Sequence, residues 1–361
     1  MKVFNSLTGK KEDLDSIQKG KISIYVCGMT VYDDCHIGHA RTFLSFDMIV
    51  RYLRSRNIKV DYIRNITDVD DKILQRAKET NQEPSVLTDR YIERMTSDFN
   101  ALGMISPDKE PRATENIQII LDLISRLIEG GYAYHEGGDV YFSVESFPEY
   151  GKLSNQKMDE ILSGARIEID EEKRNPADFV LWKKGDENLV WDSPWGKGRP
   201  GWHVECSAMS MDALGDTFDI HAGGSDLKFP HHENEIAQSE AATGKKFAKY
   251  WMHTGPLRID KEKMSKSLDN FLTIRDALKD YPYEVLRFFL LSSHYRSPIN
   301  YSEEALVESK AALERLYTAI HDIDISLIDE PSKGVHTGQF QEAMDDDFNV
   351  PEALSVLFDL A

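Results

Sequence analysis

The order of signals along this chain predicts an α/β fold: a parallel sheet whose two halves are separated by an insertion and followed by helices. Three observations carry that expectation. An apolar, β-branched run at 21–28 (KISIYVCG) leads through a short loop into a helical pattern and then a second β run. That is the strand–helix–strand unit that opens a parallel sheet. After a long charged stretch, apolar β character returns at 216–224 (DTFDIHAGG) and runs into a glycine-rich turn. Beyond Pro256 and a loop rich in Lys and Ser, the patterns are helical.

Taken in order, the first strand stops at Gly28, and the helix after it runs from about His39 to Arg54, with Phe43, Leu44, Met48, Ile49, Tyr52 and Leu53 apolar. VDYIRNI (60–66) is the next strand, and Thr67 or Asp68 is placed to cap the helix in DVDDKILQRAKE. PRATENIQIILDLISRLIEGG then reads as an amphipathic helix, with Thr114 as its cap and Gly130-Gly131 as its stop. YAYHEGGDVYFSV reads as a hairpin turning at Gly137-Gly138. Residues 158–197 are highly charged, with few periodic elements. Three helical patterns close the chain: YEVLRFFLLSSHY, SEEALVESKAALERLYTAIHDID and PEALSVLFDLA. The expected division is 1–104 for the first half-sheet, 105–199 for the insertion, 200–255 for the second half-sheet, 256–305 for the lysine-bearing loop region and 306–361 for the start of a helical bundle.

At 361 residues the chain exceeds the size at which one core usually stops growing. Hydrophobic residues at 41% and charged residues at 29% fit a globular protein and exclude a disordered one. No apolar run approaches a membrane span, and the N-terminus lacks a secretory core, so the cytoplasm is the expected location. The net charge of -19 argues against broad nucleic-acid binding but permits a local basic patch, and the densest basic stretch is 245–266. Cys27, Cys35 and Cys206 are too few and too scattered for a disulfide scaffold, which leaves metal binding or catalysis as their informative uses.

Two segments suit phosphate. His36-Ile37-Gly38-His39 opens the first long helix, where unpaired N–H groups and the dipole attract an anion and Gly38 permits close approach. On its own, HxGH is matched evenly by two surface histidines at a helix start. Lys263-Met264-Ser265-Lys266-Ser267 puts paired lysines on a polar loop, able to neutralise the β- and γ-phosphates of ATP, although such a run alone is more often a solvated face. Four residues suit a metal. Cys27 ends the first strand, Cys206 lies in PGWHVECSAM, and His231 and Glu235 share a helix face at i and i+4. Two thiolates, an imidazole and a carboxylate fit tetrahedral Zn²⁺. Each has a plainer reading, as a buried cysteine or a helix-surface hydrogen bond, and CxxC spacing is absent. Cys35 is read as a bystander, and His232 as pointing off the His231–Glu235 face.

The pairing of HIGH after the first strand with KMSKS after the second half-sheet resembles the signature of class I aminoacyl-tRNA synthetases. CGMTVYDDCHIGHARTF, NITDVDDKI, PRATENI, PGWHVECSAM, GGSDLKFPHHENEIAQSEA and KMSKSLDN occur in the order seen in the cysteinyl-tRNA synthetases, and MDDDFNVPEAL is similar to that family's later helical region. The resemblance implies a Rossmann-type catalytic domain split by a connective-peptide insertion, then a stem-contact region and a helical bundle. It implies a ligase of EC 6.1.1 type using L-cysteine, ATP with Mg²⁺, and the acceptor end of tRNA(Cys). One Zn²⁺ per chain would sit on Cys27, Cys206, His231 and Glu235. His36, His39, Lys263 and Lys266 would be catalytic, with Gly38, Gly223, Asp226 and both lysines on the nucleotide and Gly28, Thr67 and Trp202 around the amino acid. Zinc taking the substrate thiolate would reject serine without an editing domain, where a hydrophobic pocket alone separates near-isosteres by about a hundredfold. A monomer with no membrane partner is expected.

Met29 and Asp269 depart from the family's more usual proline and glycine, and the chain stops at Ala361, before the family's anticodon-binding domain. Activation is expected to survive and tRNA charging to be weakened. Two other readings share many of these residues. One is a ligase joining cysteine to an amino sugar in mycothiol synthesis, which amino-sugar-dependent turnover would reveal. The other is a non-catalytic zinc or nucleotide-binding relative, which would have no need of the lysine loop.

Overall fold

The computed structural model describes residues 1–157, 172–186, 188–259, 262–263, 271–324 and 334–361, with backbone alone at 262–263. An unexpected hairpin, β1 (Lys2–Asn5) with β2 (Lys10–Asp13), comes first. Next come β3 (Lys21–Val26), α1 (Ile37–Ser55), β4 (Lys59–Arg64), α2 (Asp71–Thr80), α3 (Pro84–Ala101) and α4 (Ile117–Glu129). The helix expected from His39 thus begins at Ile37. Neither Thr67 nor Asp68 caps α2; Asp70 does, accepting the Lys72 N–H at 2.7 Å. Asp68 is committed elsewhere. Its carboxylate accepts from the Thr114 N–H at 2.9 Å and the Thr114 hydroxyl at 2.6 Å. That takes Thr114 away from the cap role expected of it, and α4 begins after a short 3-10 turn, Ala113–Glu115.

The hairpin read at Gly137-Gly138 is present as β5 (Ala133–Glu136) and β6 (Asp139–Phe142). The stretch expected to hold few periodic elements supplies β7 (Phe179–Lys184), and β8 (Gly198–Pro200) follows it, completing a four-stranded antiparallel sheet in the order β5-β6-β7-β8. The chain continues through α5 (Trp202–Leu214), β9 (Phe218–Gly224), α6 (Glu233–Thr243), β10 (Ala248–Thr254), β11 (Leu257–Ile259) and β12 (Glu262–Lys263). Then come α7 (Ile274–Asp280), α8 (Tyr283–Ser292), β13 (Ile299–Tyr301), α9 (Glu303–Ile320), α10 (Val335–Asp345) and α11 (Val350–Leu360). No described helix is long and apolar enough to cross a membrane.

The central sheet has the order β10-β9-β3-β4 with every pair parallel, so the two half-sheets foreseen on either side of the insertion do join, at β3 and β9. The alternation of β3 then decides what reaches the site. Ile22, Ile24 and Val26 enter the core that includes Phe43, Leu44 and Leu53 of α1. Tyr25 and Cys27 face the opposite way, into a cluster with Cys206, Phe218, Ile236 and Trp251. Cys27 is therefore delivered by strand phase to the side covered by α5 and α6.

Two buried polar anchors hold the later helices to this frame. Arg41 of α1, 1% exposed, donates to the carbonyls of Leu290 and His294. Asp347, 0% exposed and at φ 64°, accepts from the Phe4 N–H, the Tyr295 hydroxyl and the Arg296 Nε, each at 2.8 Å.

Candidate active site

Cys27, Cys206, His231 and Glu235 come together. One donor atom from each lies within 4.8 Å of all the others, and all four side chains are buried. Cys206 sits one turn into α5, and His231 lies in a π turn, Lys228–His232, that runs directly into α6 and Glu235. Cys27 Sγ is 3.7 Å from His231 Nε2 and 3.4 Å from Glu235 Oε1, and His231 Nε2 is 3.1 Å from the same oxygen. A tetrahedral zinc with ligands at about 2.0–2.3 Å spaces its donors roughly 3.3–3.8 Å apart. The two Cys27 distances fall in that range, and the His231–Glu235 pair is slightly closer.

Its electrostatics also call for a cation. Burial pushes the Cys27 thiol well up, and Cys206 and Glu235 add to this, whereas the hydrogen bond from Cys27 lowers Cys206 to about 6 against burial. Burial works against a charged His231, but Glu235 and Cys206 outweigh it and raise the imidazole to about 10. Burial opposes the Glu235 carboxylate too, and the His221 and His231 imidazoles outweigh it, holding the group well below the usual carboxylate range. The shifts favour charge on Cys206, His231 and Glu235 and oppose it on Cys27. A divalent cation displaces the protons of thiol and imidazolium ligands as it binds, so the donor set fits zinc.

Supporting contacts escaped the sequence reading. His221 Nε2 bonds Glu235 Oε2 at 2.8 Å, and His203 Nδ1 meets His231 Nδ1 at 2.9 Å, the outer contacts that orient metal ligands. His203, three residues before Cys206, could have been suspected from that spacing; His221, on a strand, offered no such signal. His232 corrects an expectation. Its ring turns inward, bonding His253 at 2.9 Å with Nε2 4.0 Å from Glu235 Oε1, because the π turn changes the phase at which it enters the helix. Cys35 stays outside the cluster, its thiol 3.2 Å from the Met29 thioether.

The three residues assigned to the amino-acid pocket flank the cluster. Gly28 tolerates no side chain, since a Cβ there would lie 1.7 Å from the Asn65 carbonyl oxygen. Its N–H donates to Asn65 Oδ1 at 2.8 Å, and Asn65 Nδ2 donates to the Thr67 hydroxyl at 3.2 Å. Trp202, 39% exposed, stacks on His231 with ring centroids 4.2 Å apart. Between Trp202 and Cys206 lies Glu205, 0% exposed and raised well above the carboxylate range by burial, with Cys206, Asp68 and Asp70 adding to the rise and the Thr67 hydroxyl opposing it.

Of the residues expected at the nucleotide, His36, Gly38 and His39 follow β3 and Gly223 is at the end of β9, its neighbour in the central sheet. His36 is the N-cap of α1, Gly38 is in the first turn, and the stacked imidazoles of His36 and His39 close a reciprocal capping box. Burial and then His36 keep the His39 ring neutral, well below its ordinary range. Gly223 leads into the turn bearing exposed Asp226, and a Cβ there would meet Leu227 at 2.9 Å and His232 at 3.0 Å. Lys263 lies on β12, paired through its backbone with Arg258, while Lys266 and Asp269 fall outside the described residues. The segment after them is tied to the first motif: the Ile37 N–H donates to the Leu272 carbonyl at 3.1 Å, and the Phe271 ring stands edge-on to His36 at 5.4 Å.

Comparison with known proteins agrees with this arrangement. Residues 13–311 match the family described as tRNA synthetases class I (C) catalytic domain, and residues 339–361 match the DALR domain. The cysteine–tRNA ligase of Hahella chejuensis is 60% identical over 100% of this chain and 79% of its own length. That of Shewanella loihica is 58% identical over 100% and 79%. The fold is shared with a solved methionyl-tRNA synthetase of Mycobacterium tuberculosis in complex with methionyl-adenylate, with a TM-score of 0.71, 15% identity, and coverage of 94% of this chain and 82% of that one. With a family match over most of its length, relatives near 60% identity and a split parallel sheet, the chain belongs to the cysteine–tRNA ligases, within the class I tRNA synthetases.

Proposed function

We propose that this ligase selects L-cysteine by its sulfur, held at a zinc on Cys27, Cys206, His231 and Glu235, and activates it with ATP at the neighbouring start of α1. As a family member it joins an amino acid to tRNA at the expense of ATP with Mg²⁺. The observation that carries the selection step is the buried quartet of donors within 4.8 Å of one another, with Trp202 stacked on one of them. When bound, zinc supplies a thiophilic Lewis acid, for which a serine hydroxyl is a poor ligand.

The remaining work belongs to the chain's own residues. His231 and Glu235 are fixed by His203 and His221, so the donors are set before substrate arrives. Trp202 and Gly28 shape the wall around the side chain, and Thr67 presents its hydroxyl. On the nucleotide side, the positive end of α1 at Gly38 and the imidazoles of His36 and His39 attract the phosphates as the cysteine carboxylate attacks the α-phosphorus and pyrophosphate leaves. Lys263 and Lys266 are assigned to that departing charge, and Asp226 to the ribose hydroxyls. Positioning and charge stabilisation account for most of the rate in such phosphorus chemistry. The adenylate then passes to the acceptor end of tRNA(Cys). We take the working unit to be a cytoplasmic monomer, with 1–104 and 200–255 as the catalytic halves, 105–199 as the connective insertion, 256–305 as the stem-contact region and 306–361 as the helical region.

Cysteine-dependent ATP–pyrophosphate exchange, run with a serine control and a chelated sample, tests this reading. Exchange with cysteine alone, lost on chelation and restored by Zn²⁺, is the expected result. Equal exchange with serine, or full activity in a metal-free sample, would overturn it.

A further inference from the structure

Four charged side chains, Asp34, Arg94, Asp98 and Arg275, converge beside the turn into α1. The backbone there forms a short antiparallel ladder with the residues that lead into α7. The Ile37 N–H donates to the Leu272 carbonyl at 3.1 Å, and the Ile274 N–H donates to the Cys35 carbonyl at 2.8 Å. His36 pairs with Thr273 between them. His36 therefore takes its position from this ladder as well as from its own helix.

α3 grips both strands of the ladder. Arg94 holds the first, its Nε and Nη2 donating to the two carboxylate oxygens of Asp34 at 2.5 and 2.6 Å. Asp34 lies two residues before His36. Asp98 holds the second strand, accepting from Nη2 of Arg275, the neighbour of Ile274, at 2.9 Å. Arg94 and Asp98 are four residues apart and so share one face of α3. Cross-contacts join the two grips. Arg275 Nη2 reaches the Arg94 carbonyl at 3.4 Å, and its Nε stands 3.8 Å from Asp34 Oδ1.

As a stabilising device this cluster is poorly made. Asp98 Oδ2 and Arg275 Nε are buried with no hydrogen-bond partner, although pairing is the rule for such atoms. Arg275 also lies in the first turn of α7, the end at which a helix dipole disfavours a cation. What the cluster does well is fix geometry, because the planar fork of Arg94 on Asp34 permits one orientation. We propose that Arg94 and Arg275, acting through Asp34, Asp98 and the ladder, are positioning residues for adenylate formation, setting where His36 and the first turn of α1 stand relative to the α-phosphorus. This rests on the assignment of the ATP phosphates to the start of α1. Cysteine capture is set by other elements, since the metal donors stand at the end of β3, on α5 and on the π turn and helix that follow β9.

Steady-state cysteine-dependent pyrophosphate exchange on the full chain tests this, with Arg94→Ala, Arg94→Lys, Arg275→Gln and His36→Asn beside wild type. A small misplacement at a reacting centre is costly, so Arg94→Ala and Arg275→Gln are expected to lower kcat by roughly 10- to 100-fold with KM for cysteine unchanged. The unfolding temperature should stay close to wild type, since the Arg94 side chain is 38% exposed and glutamine keeps a donor for Asp98. Arg94→Lys, which keeps the charge, should recover part of kcat. Unchanged kcat in both variants, a loss that only tracks a lowered unfolding temperature, or a rise in KM for cysteine in place of the fall in kcat would overturn the proposal. Wild-type exchange by His36→Asn would instead overturn the phosphate assignment beneath it.

Discussion

The imidazoles of His36 and His39 lie face to face, with ring centroids 3.6 Å apart and planes 15° from parallel, and each Nδ1 accepts the other residue's backbone N–H, at 3.3 and 3.2 Å. The capping of α1 and the placement of the rings are thus one arrangement. His36→Asn separates them, because asparagine caps a helix well but carries no imidazole. We expect near-native thermal stability with pyrophosphate exchange lowered by on the order of 10²–10³-fold. His36→Ala should add about 1 kcal/mol of destabilisation. Equal activity in the asparagine variant would mean that the ring is only a cap.

Buried neutral histidines set an acid limit on the fold. Burial, then Lys228 and His221, lower His253 to about 3, and His39 lies well below its ordinary range. Below about pH 6.5 the unfolded chain binds protons that the folded chain refuses, so stability present above that pH is lost as pH falls toward 3. Each such group contributes a slope of about 1.4 kcal/mol per pH unit. Denaturant midpoints at pH 7.5, 6.5 and 5.5 should fall less steeply for His253→Gln than for wild type. Parallel slopes would rule out His253 as a source.

The partner of Glu235 matters to metal retention. His221→Asn leaves Glu235 Oε2 without the donor now 2.8 Å away. Loss of an outer contact of this kind lowers metal affinity about 10- to 100-fold. Competition with a chelator of known affinity measures it, and unchanged retention would show that Glu235 is fixed by its helix alone.

Asp347, between α10 and α11, fastens that end of the chain to Phe4, Tyr295 and Arg296. Alanine there abandons the Phe4, Tyr295 and Arg296 donors and sits awkwardly at φ 64°. Thermal unfolding should report a loss of about 2–4 kcal/mol for Asp347→Ala. Asp347→Asn, which tolerates that φ and keeps one acceptor oxygen, should lose less. If the two variants unfold alike, the fastening resides in helix packing instead.

The parts legible in the sequence were those where one residue type has one physical use. HxGH does open a helix, with His36 as its N-cap, and His231 and Glu235 do meet across the i, i+4 spacing. What escaped detection did so for a reason. Residues 204–210 of α5 are buried without a break, so that helix carries no one-sided apolar stripe of the kind periodicity detects. His203 and His221 act through packing between elements distant in sequence, which no local pattern encodes. Thr114 was read as a cap because the sequence does not show that Asp68 claims it.

The seam between β3 and β9 has a consequence during synthesis. Ile24 pairs with Ile220, and Cys27 waits for Glu235. At the ~5–20 residues per second of a translating ribosome, β3 stands with one open edge for roughly 10–40 s before its second neighbour emerges. Over that interval the nascent sheet is only the β3–β4 pair, and the Cys27 thiol lacks its Glu235 neighbour. The insertion that separates the half-sheets is therefore also a delay line, during which one edge of β3 stays unpaired.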